Sequence, residues 1–314
     1  MAQIRKKIIE HPYVAVAILL FLFTGVLLFP HRFMISYSLR FGEDYFSIIF
    51  FNVLLPFSLL FFFWNLIVPF GFFLEDDENS SFQILKDYHK IIKLSSVEHM
   101  GRILLLSFIC IIIYYFFVVT GAFILGTSSW DFSILFRNIE INEDLGWFNF
   151  ITYLRAPIWE EITFRGVILA IFLNAFSKRK AIILNGLIFG LFHFINFLIS
   201  YSEIWSSLLD VLALMGFGIV IGIFLAYMFT KTENLISCIV IHYFINIIFL
   251  IFFVSIENIG LMILYHVFFR TLMPWIVNSL LIRYVYKYWE QEHEQSLKNK
   301  FMNKKRGFKE IENS

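Results

Sequence analysis

Residues 103–125, ILLLSFICIIIYYFFVVTGAFIL, carry no charged side chain, and similar apolar stretches recur along the chain. At 1.5 Å per residue such a stretch makes a helix about 34 Å long, enough to cross the ~30 Å hydrocarbon core of a bilayer. The chain is 59% hydrophobic and 16% charged, with a mean hydropathy of +0.76. Soluble domains run at roughly 45–50% apolar and about 25% charged. Polar surface is therefore too scarce to cover a water-soluble globule, and lipid is the expected solvent for most of the chain.

Apolar segments of spanning length are read at 13–29, 46–74, 103–125, 147–176, 181–199, 208–229, 235–254 and 259–285. The expected fold class is all-α, a polytopic membrane helix bundle of about eight transmembrane helices. Segment 46–74 is long enough to double back as a re-entrant pair. The first segment follows Arg5, Lys6 and Lys7 but no small-residue cleavage site follows it, so it is read as a span and not a cleaved signal. Basic residues gather in 75–102 (Lys86, Lys90, Lys93, Arg102), in Lys178-Arg179-Lys180, at Lys231 and in the tail 286–314. The other loops hold mainly Arg32, Arg40 and Arg137. This bias predicts both termini in the cytoplasm and an even span count. Compact length and an Ile/Phe/Lys bias point to a prokaryotic cytoplasmic membrane. One membrane domain over 1–314 is expected, with a basic cytoplasmic tail at 286–314 and no internal repeat.

Two cysteines, Cys110 and Cys238, fall far apart inside apolar runs, which argues against a disulfide framework or a cysteine zinc site. They are expected to be small buried residues. A net charge of +1 gives no reason to expect nucleic acid as a partner. The bilayer itself and a peptide or membrane-protein substrate are the expected partners, with no oligomeric state indicated.

Charged side chains inside a span cost roughly 2.5–3.5 kcal/mol on insertion scales, so those that occur are informative. Three polar clusters stand out, all in the second half of the chain. The first is PIWEEITFRG, Pro157 to Gly166. If its helix starts near Trp147, Glu160 lies roughly 20 Å along the axis, near mid-bilayer. If Pro157 instead opens the helix, Glu160 lies nearer one membrane face. Glu161 and Arg165 are four apart and can pair on one face, whereas Glu160 sits about 100° round the helix. A buried ion pair that fixes helix register accounts for Glu161 and Arg165 but leaves Glu160 unexplained.

The second cluster is NGLIFGLFHFIN, where Phe189 and His193 share a face and Gly186 with Gly190 makes a close-approach motif. The third is IHYFIN, where His242 and Asn246 are likewise four apart. Gly218 and Gly222 in the sixth segment form another close-packing pair. His266 and Arg270, four apart in the last segment, have no assigned role. A lone membrane histidine is most simply a helix-to-helix hydrogen-bonding residue. Two histidines, an asparagine and a spare glutamate at similar depth on three segments are harder to explain that way.

A glutamate and a histidine converging on one water make a general-base pair. A second histidine and an amide supply donors for an oxyanion. These are the parts for hydrolysing an amide without a covalent intermediate. No serine or cysteine stands beside a histidine in these clusters, so an acyl-enzyme route has no support. Two histidines and a glutamate could also hold zinc with a water site, but the chain has no H-E-x-x-H.

The motifs E-E-x-x-x-R (Glu160, Glu161, Arg165), F-x-x-x-H (Phe189, His193) and H-x-x-x-N (His242, Asn246), in this order, resemble the CPBP family of intramembrane proteases. That family groups CAAX proteases with bacteriocin-processing proteins and includes the type II CAAX prenyl endopeptidases. The flanking text EEITFRG, LIFGLFH and GFGIVIGIFLAYMFTKTENL also follows the family's order, so the resemblance covers roughly residues 150–250, the expected catalytic core. It implies that Glu160, helped by His193, activates water, and that His242 and Asn246 form the oxyanion hole. Glu161 with Arg165 would hold the first helix of the site. It also implies a metal-free hydrolase, so no cofactor is expected. The competing readings are a non-catalytic membrane self-immunity or scaffold protein, and a transporter that uses Glu160 as a proton relay. No pair of broken helices in matching halves favours the transporter.

Overall fold

A backbone placed in hydrocarbon must close its hydrogen bonds within its own segment, and this chain does so with helices. Its structure, a computed structural model, describes residues 11–41, 50, 54–68, 99–135, 148–194 and 204–289. Helices α1 (Pro12–Phe41), α2 (Leu55–Phe62) and α3 (Met100–Leu125) come first. Helix α4 (Phe148–Glu161) runs through a π-helical turn (Ile162–Ile168) into α5 (Leu169–Ala175). Then follow α6 (Lys178–Phe192), α7 (Ile204–Thr232), α8 (Leu235–Ile251) and α9 (Ile259–Trp289). Among the described residues three helices are long and apolar enough to cross a membrane: Met100–Leu125, Val211–Thr232 and Ile259–Trp289. The chain is therefore an essentially all-helical membrane protein, but the eight expected segments appear as helices of unequal length and not as eight evident spans. Pro12–Val26, Leu55–Asn65 and Leu235–Ile251 are apolar but shorter. The ends of segment 46–74 and the tail beyond 289 lie outside the described residues.

One boundary needs correction. The segment expected to span 235–254 leaves the helix at Ile251, and β2 (Phe252–Ser255) pairs antiparallel with β1 (Thr127–Trp130). Aromatic and β-branched residues favour this extended form, and Trp130 packs its ring 4.4 Å from Phe252. Gly126 lets the ladder start directly after α3, since a Cβ there would lie 2.5 Å from the Ser255 carbonyl oxygen. The ladder ties the ends of α3 and α8 together. Between the same helices the Tyr115 hydroxyl donates to the Phe244 carbonyl at 2.6 Å. Asn234 caps α8, its side chain accepting from the Ser237 amide at 3.0 Å.

The two glycine pairs singled out in the sequence prove to be each other's partners. A Cβ on Gly222 would lie 2.9 Å from the Gly186 Cα, and one on Gly218 would lie 3.0 Å from the Gly190 Cα. Helices α6 and α7 thus touch backbone to backbone, as small residues allow in a medium that offers no hydrophobic drive between helices. At Gly190 a Cβ would meet the Ile219 amide nitrogen and the Met215 carbonyl oxygen, both at 2.5 Å. Neither is a flexible side-chain end, so the helices would have to part. Gly190→Ala is expected to lose ~1–3 kcal/mol. Gly216→Ala, with nothing within 4 Å of its Cβ, is expected to be neutral or to gain up to ~1 kcal/mol. Thermal unfolding in detergent separates the two, and equal melting temperatures would contradict the close crossing.

Candidate active site

Pro157 lies inside α4 and does not open it, so Glu160 and Glu161 end a helix that began at least three turns earlier. The π turn begins at the very next residue. Such turns insert an extra residue and often mark functional sites, because they re-aim side chains and leave carbonyls to be shared. Here the Asn185 amide of α6 donates to the Phe164 carbonyl at 2.7 Å. The Trp64 indole, from the turn after α2, donates to the Thr163 hydroxyl at 3.1 Å. Residues 161–169 are all buried. A widened turn held from two sides therefore fixes where Glu160, Glu161 and Arg165 point.

The expected ion pair is present: Arg165 Nη1 donates to Glu161 Oε1 at 2.8 Å, both side chains having no exposure. Arg165 is held further by the Gly222 carbonyl at 3.4 Å and by the Phe189 ring, whose centroid lies 4.2 Å from the guanidinium carbon. What the sequence reading missed is a third member. His242 Nδ1 also lies 2.8 Å from Glu161 Oε1, across 81 residues of sequence. A carboxylate oxygen here accepts, so Nδ1 carries the proton and Nε2 faces the other way. Glu161 therefore anchors α8 as well as its own helix.

His242 Nε2 points toward Glu160, 3.8 Å from its Oε2. That oxygen is buried and has no hydrogen-bond partner among the described residues. Two atoms at this separation can share one water at hydrogen-bonding distance from both. His193 caps α6, and its Nδ1 lies 2.9 Å from the Phe189 carbonyl. A carbonyl can only accept, so Nδ1 is the donor there and Nε2 of the neutral ring is left as an acceptor. Phe189 is the wall between the two imidazoles, its centroid 5.0 Å from that of His193 and 5.9 Å from that of His242. Gly218 makes room for His193, since a Cβ there would lie 3.3 Å from Nδ1.

Glu160, Glu161, Arg165 and His242 are thus brought into direct contact, with Phe189 and His193 joined through ring packing. The side chain of Asn246, one turn beyond His242 and partly buried, makes no hydrogen bond among the described residues, and neither do Glu160 and His193 with each other. No group of three or more His, Cys, Asp or Glu side chains is placed to hold a metal ion among the described residues. Cys110 and Cys238 are free and buried, as expected. His266 and Arg270 belong elsewhere. Arg270 Nη1 lies 3.3 Å from His266 Nδ1, and its guanidinium carbon sits 3.8 Å over the Phe249 ring of α8; both residues belong to a further π turn (Tyr265–Leu272) that packs α9 mainly on α3 and α7.

Residues 142–248 match the family model described as type II CAAX prenyl endopeptidase Rce1-like. The resemblance read from the three motifs is borne out over this stretch, which contains every residue of the cluster. No curated protein gives a significant match to the chain. No solved structure does either.

Proposed function

We propose that the protein is an intramembrane endopeptidase that hydrolyses a peptide bond with a water activated by Glu160. One observation carries the reading: the buried Glu160 Oε2, which has no hydrogen-bond partner among the described residues, stands 3.8 Å from His242 Nε2. The similarity to a prenyl endopeptidase family over residues 142–248 supports the same reaction class.

Glu160 takes a proton from water as the water oxygen attacks the scissile carbonyl carbon. His193, with Nδ1 engaged by the Phe189 carbonyl, offers Nε2 to orient that water. His242, its ring held through Nδ1 by Glu161, turns Nε2 to the oxyanion as one donor, with the Asn246 amide as the second. The tetrahedral intermediate collapses as Glu160 returns its proton to the leaving amine, and the C–N bond breaks. Glu160 ends deprotonated, as it began.

No bound metal takes part in this reaction. Metal analysis of the purified, active protein is expected to find no zinc that tracks with activity, and a stoichiometric zinc that does so would sink the metal-free route. The substrate is a membrane-associated peptide, with a prenylated C-terminal segment the candidate that the family match suggests. The protein acts within the cytoplasmic membrane of a prokaryote, both termini inside. Comparing membrane peptides from cells that carry the wild type or Glu160→Ala tests the class and the substrate together. A fragment made only with the wild type supports the protease and identifies its substrate. Identical peptide profiles with a retained biological effect would favour a non-catalytic immunity or scaffold role.

A further inference from the structure

Arg270 is a cation inside a span that the proposed hydrolysis does not use. It stands eleven residues into α9, and Tyr114 beside it stands eleven residues before the end of α3. Both counts put the guanidinium about 16 Å from a helix end, near the middle of a ~30 Å hydrocarbon core. Arg165 at the catalytic cluster is neutralised by Glu161. Arg270 meets only neutral groups among the described residues: His266 Nδ1 at 3.3 Å, the Phe249 ring at 3.8 Å, and the phenols of Tyr114 and Tyr265. Arginine only donates, so His266 accepts at Nδ1 as a neutral ring and adds no counter-charge. The Tyr114 hydroxyl is fully buried and also has no hydrogen-bond partner among the described residues. The π turn holds this arrangement, with the Thr271 hydroxyl donating to the His266 carbonyl at 2.7 Å. An uncompensated charge inside a span is costly and marks a place where a partner arrives. Here the partner is an anion.

The position relative to the glutamates identifies that anion. His242, Asn246 and Phe249 follow at i, i+4 and i+7 and share one stripe of α8. Phe249, with the guanidinium over it, stands about 10 Å along this stripe from His242. Asn246, Phe249 and Arg270 are all half-buried, so packing does not seal the stripe. An extended peptide whose scissile carbonyl lies at His242 and Asn246 covers ~10 Å with three residues. Lipid phosphates lie at the interface, about 15 Å from the bilayer centre, and do not reach this depth.

We infer that Arg270 is a specificity residue that binds the free C-terminal carboxylate of the substrate, about three residues past the scissile bond. The guanidinium fork takes both carboxylate oxygens, and the Tyr114 hydroxyl is a further donor. This rests on the proposed proteolysis and deepens it: the cut falls close to a free C-terminus, not in the middle of a chain.

The test gives the full chain, in liposomes, a farnesylated peptide ending Cys-Val-Ile-Met, made as the free acid and as the C-terminal amide. The wild type is expected to cleave the acid with a kcat/KM about 30-fold or more above that of the amide, the usual worth of a buried charge pair that loses one partner. Arg270→Gln is expected to bring the ratio to about one, with the loss on the acid mainly in KM. Arg270→Lys, which keeps the charge but not the fork, should give an intermediate ratio. An Arg270 that only supports the fold would slow both peptides alike in these variants and keep the ratio, which would overturn the inference. A wild type that cleaves acid and amide equally would overturn it as well, while leaving the Glu160 chemistry standing. A wild type that cleaves neither would overturn the prenyl-peptide reading and the inference with it.

Discussion

Glu160→Gln is expected to lower cleavage by about 10²–10⁴-fold, the usual worth of a positioned general base, while leaving the folded protein as stable as the wild type. The amide has the same shape but cannot take a proton from water. The stability half of the expectation comes from the geometry. Glu160 Oε2 has no hydrogen-bond partner among the described residues, and its distance of 3.8 Å to His242 is too long for a direct bond. No hydrogen bond is therefore lost on substitution, and the melting temperature should move by no more than a degree or two. Rates with a defined peptide in detergent or liposomes, set beside thermal unfolding of the same preparations, check both halves. His193→Ala is expected to follow the same pattern with a smaller drop. A Glu160→Gln protein that cleaves at the wild-type rate would remove Glu160 as the base. A protein that loses activity only because it unfolds would mean that Glu160 is a packing residue after all.

How much of this was legible beforehand follows from the range of the interactions. Helical spacing is local, so the Glu161–Arg165 pair could be read from four residues, and the glycine pairs from their own helices. Apolar length gave the helices themselves. The chain could not show that Gly186 and Gly190 would meet Gly222 and Gly218, although both pairs were visible. Nor could it show that His242 would reach Glu161 across 81 residues. That contact depends on where α8 lies, and three other helices fix its position. The π turn at Ile162–Ile168 was also hidden, because apolar residues look alike at either helical pitch. Its clearest sign was Asn185, a buried amide whose partner is a carbonyl of that turn. The strand at Phe252–Ser255 was read as helix because its residues are as greasy as a span. Its pairing with β1 decided otherwise.

Splitting the Glu161–Arg165 pair is expected to be the most destabilising change in the site. Both side chains are fully buried, and removing one charged partner strands the other, at a cost of ~3–5 kcal/mol. The two single variants should differ. Arg165→Met leaves Glu161 with a hydrogen bond from His242 Nδ1, still 2.8 Å away. Glu161→Gln leaves Arg165 with a weak 3.4 Å contact to the Gly222 carbonyl and the Phe189 ring as its remaining support. Glu161→Gln should therefore be the worse of the two. The double variant should be less destabilised than the sum of the singles by about 1–3 kcal/mol, as contacting residues in one network behave. Restored stability should not restore cleavage, because His242 has lost the carboxylate that orients its ring. Unfolding free energies of the four proteins in one detergent, with their rates, form the cycle. Additive energies would mean that the pair is not coupled. A double variant that regained activity along with stability would mean that Glu161 holds the helix and does nothing for His242.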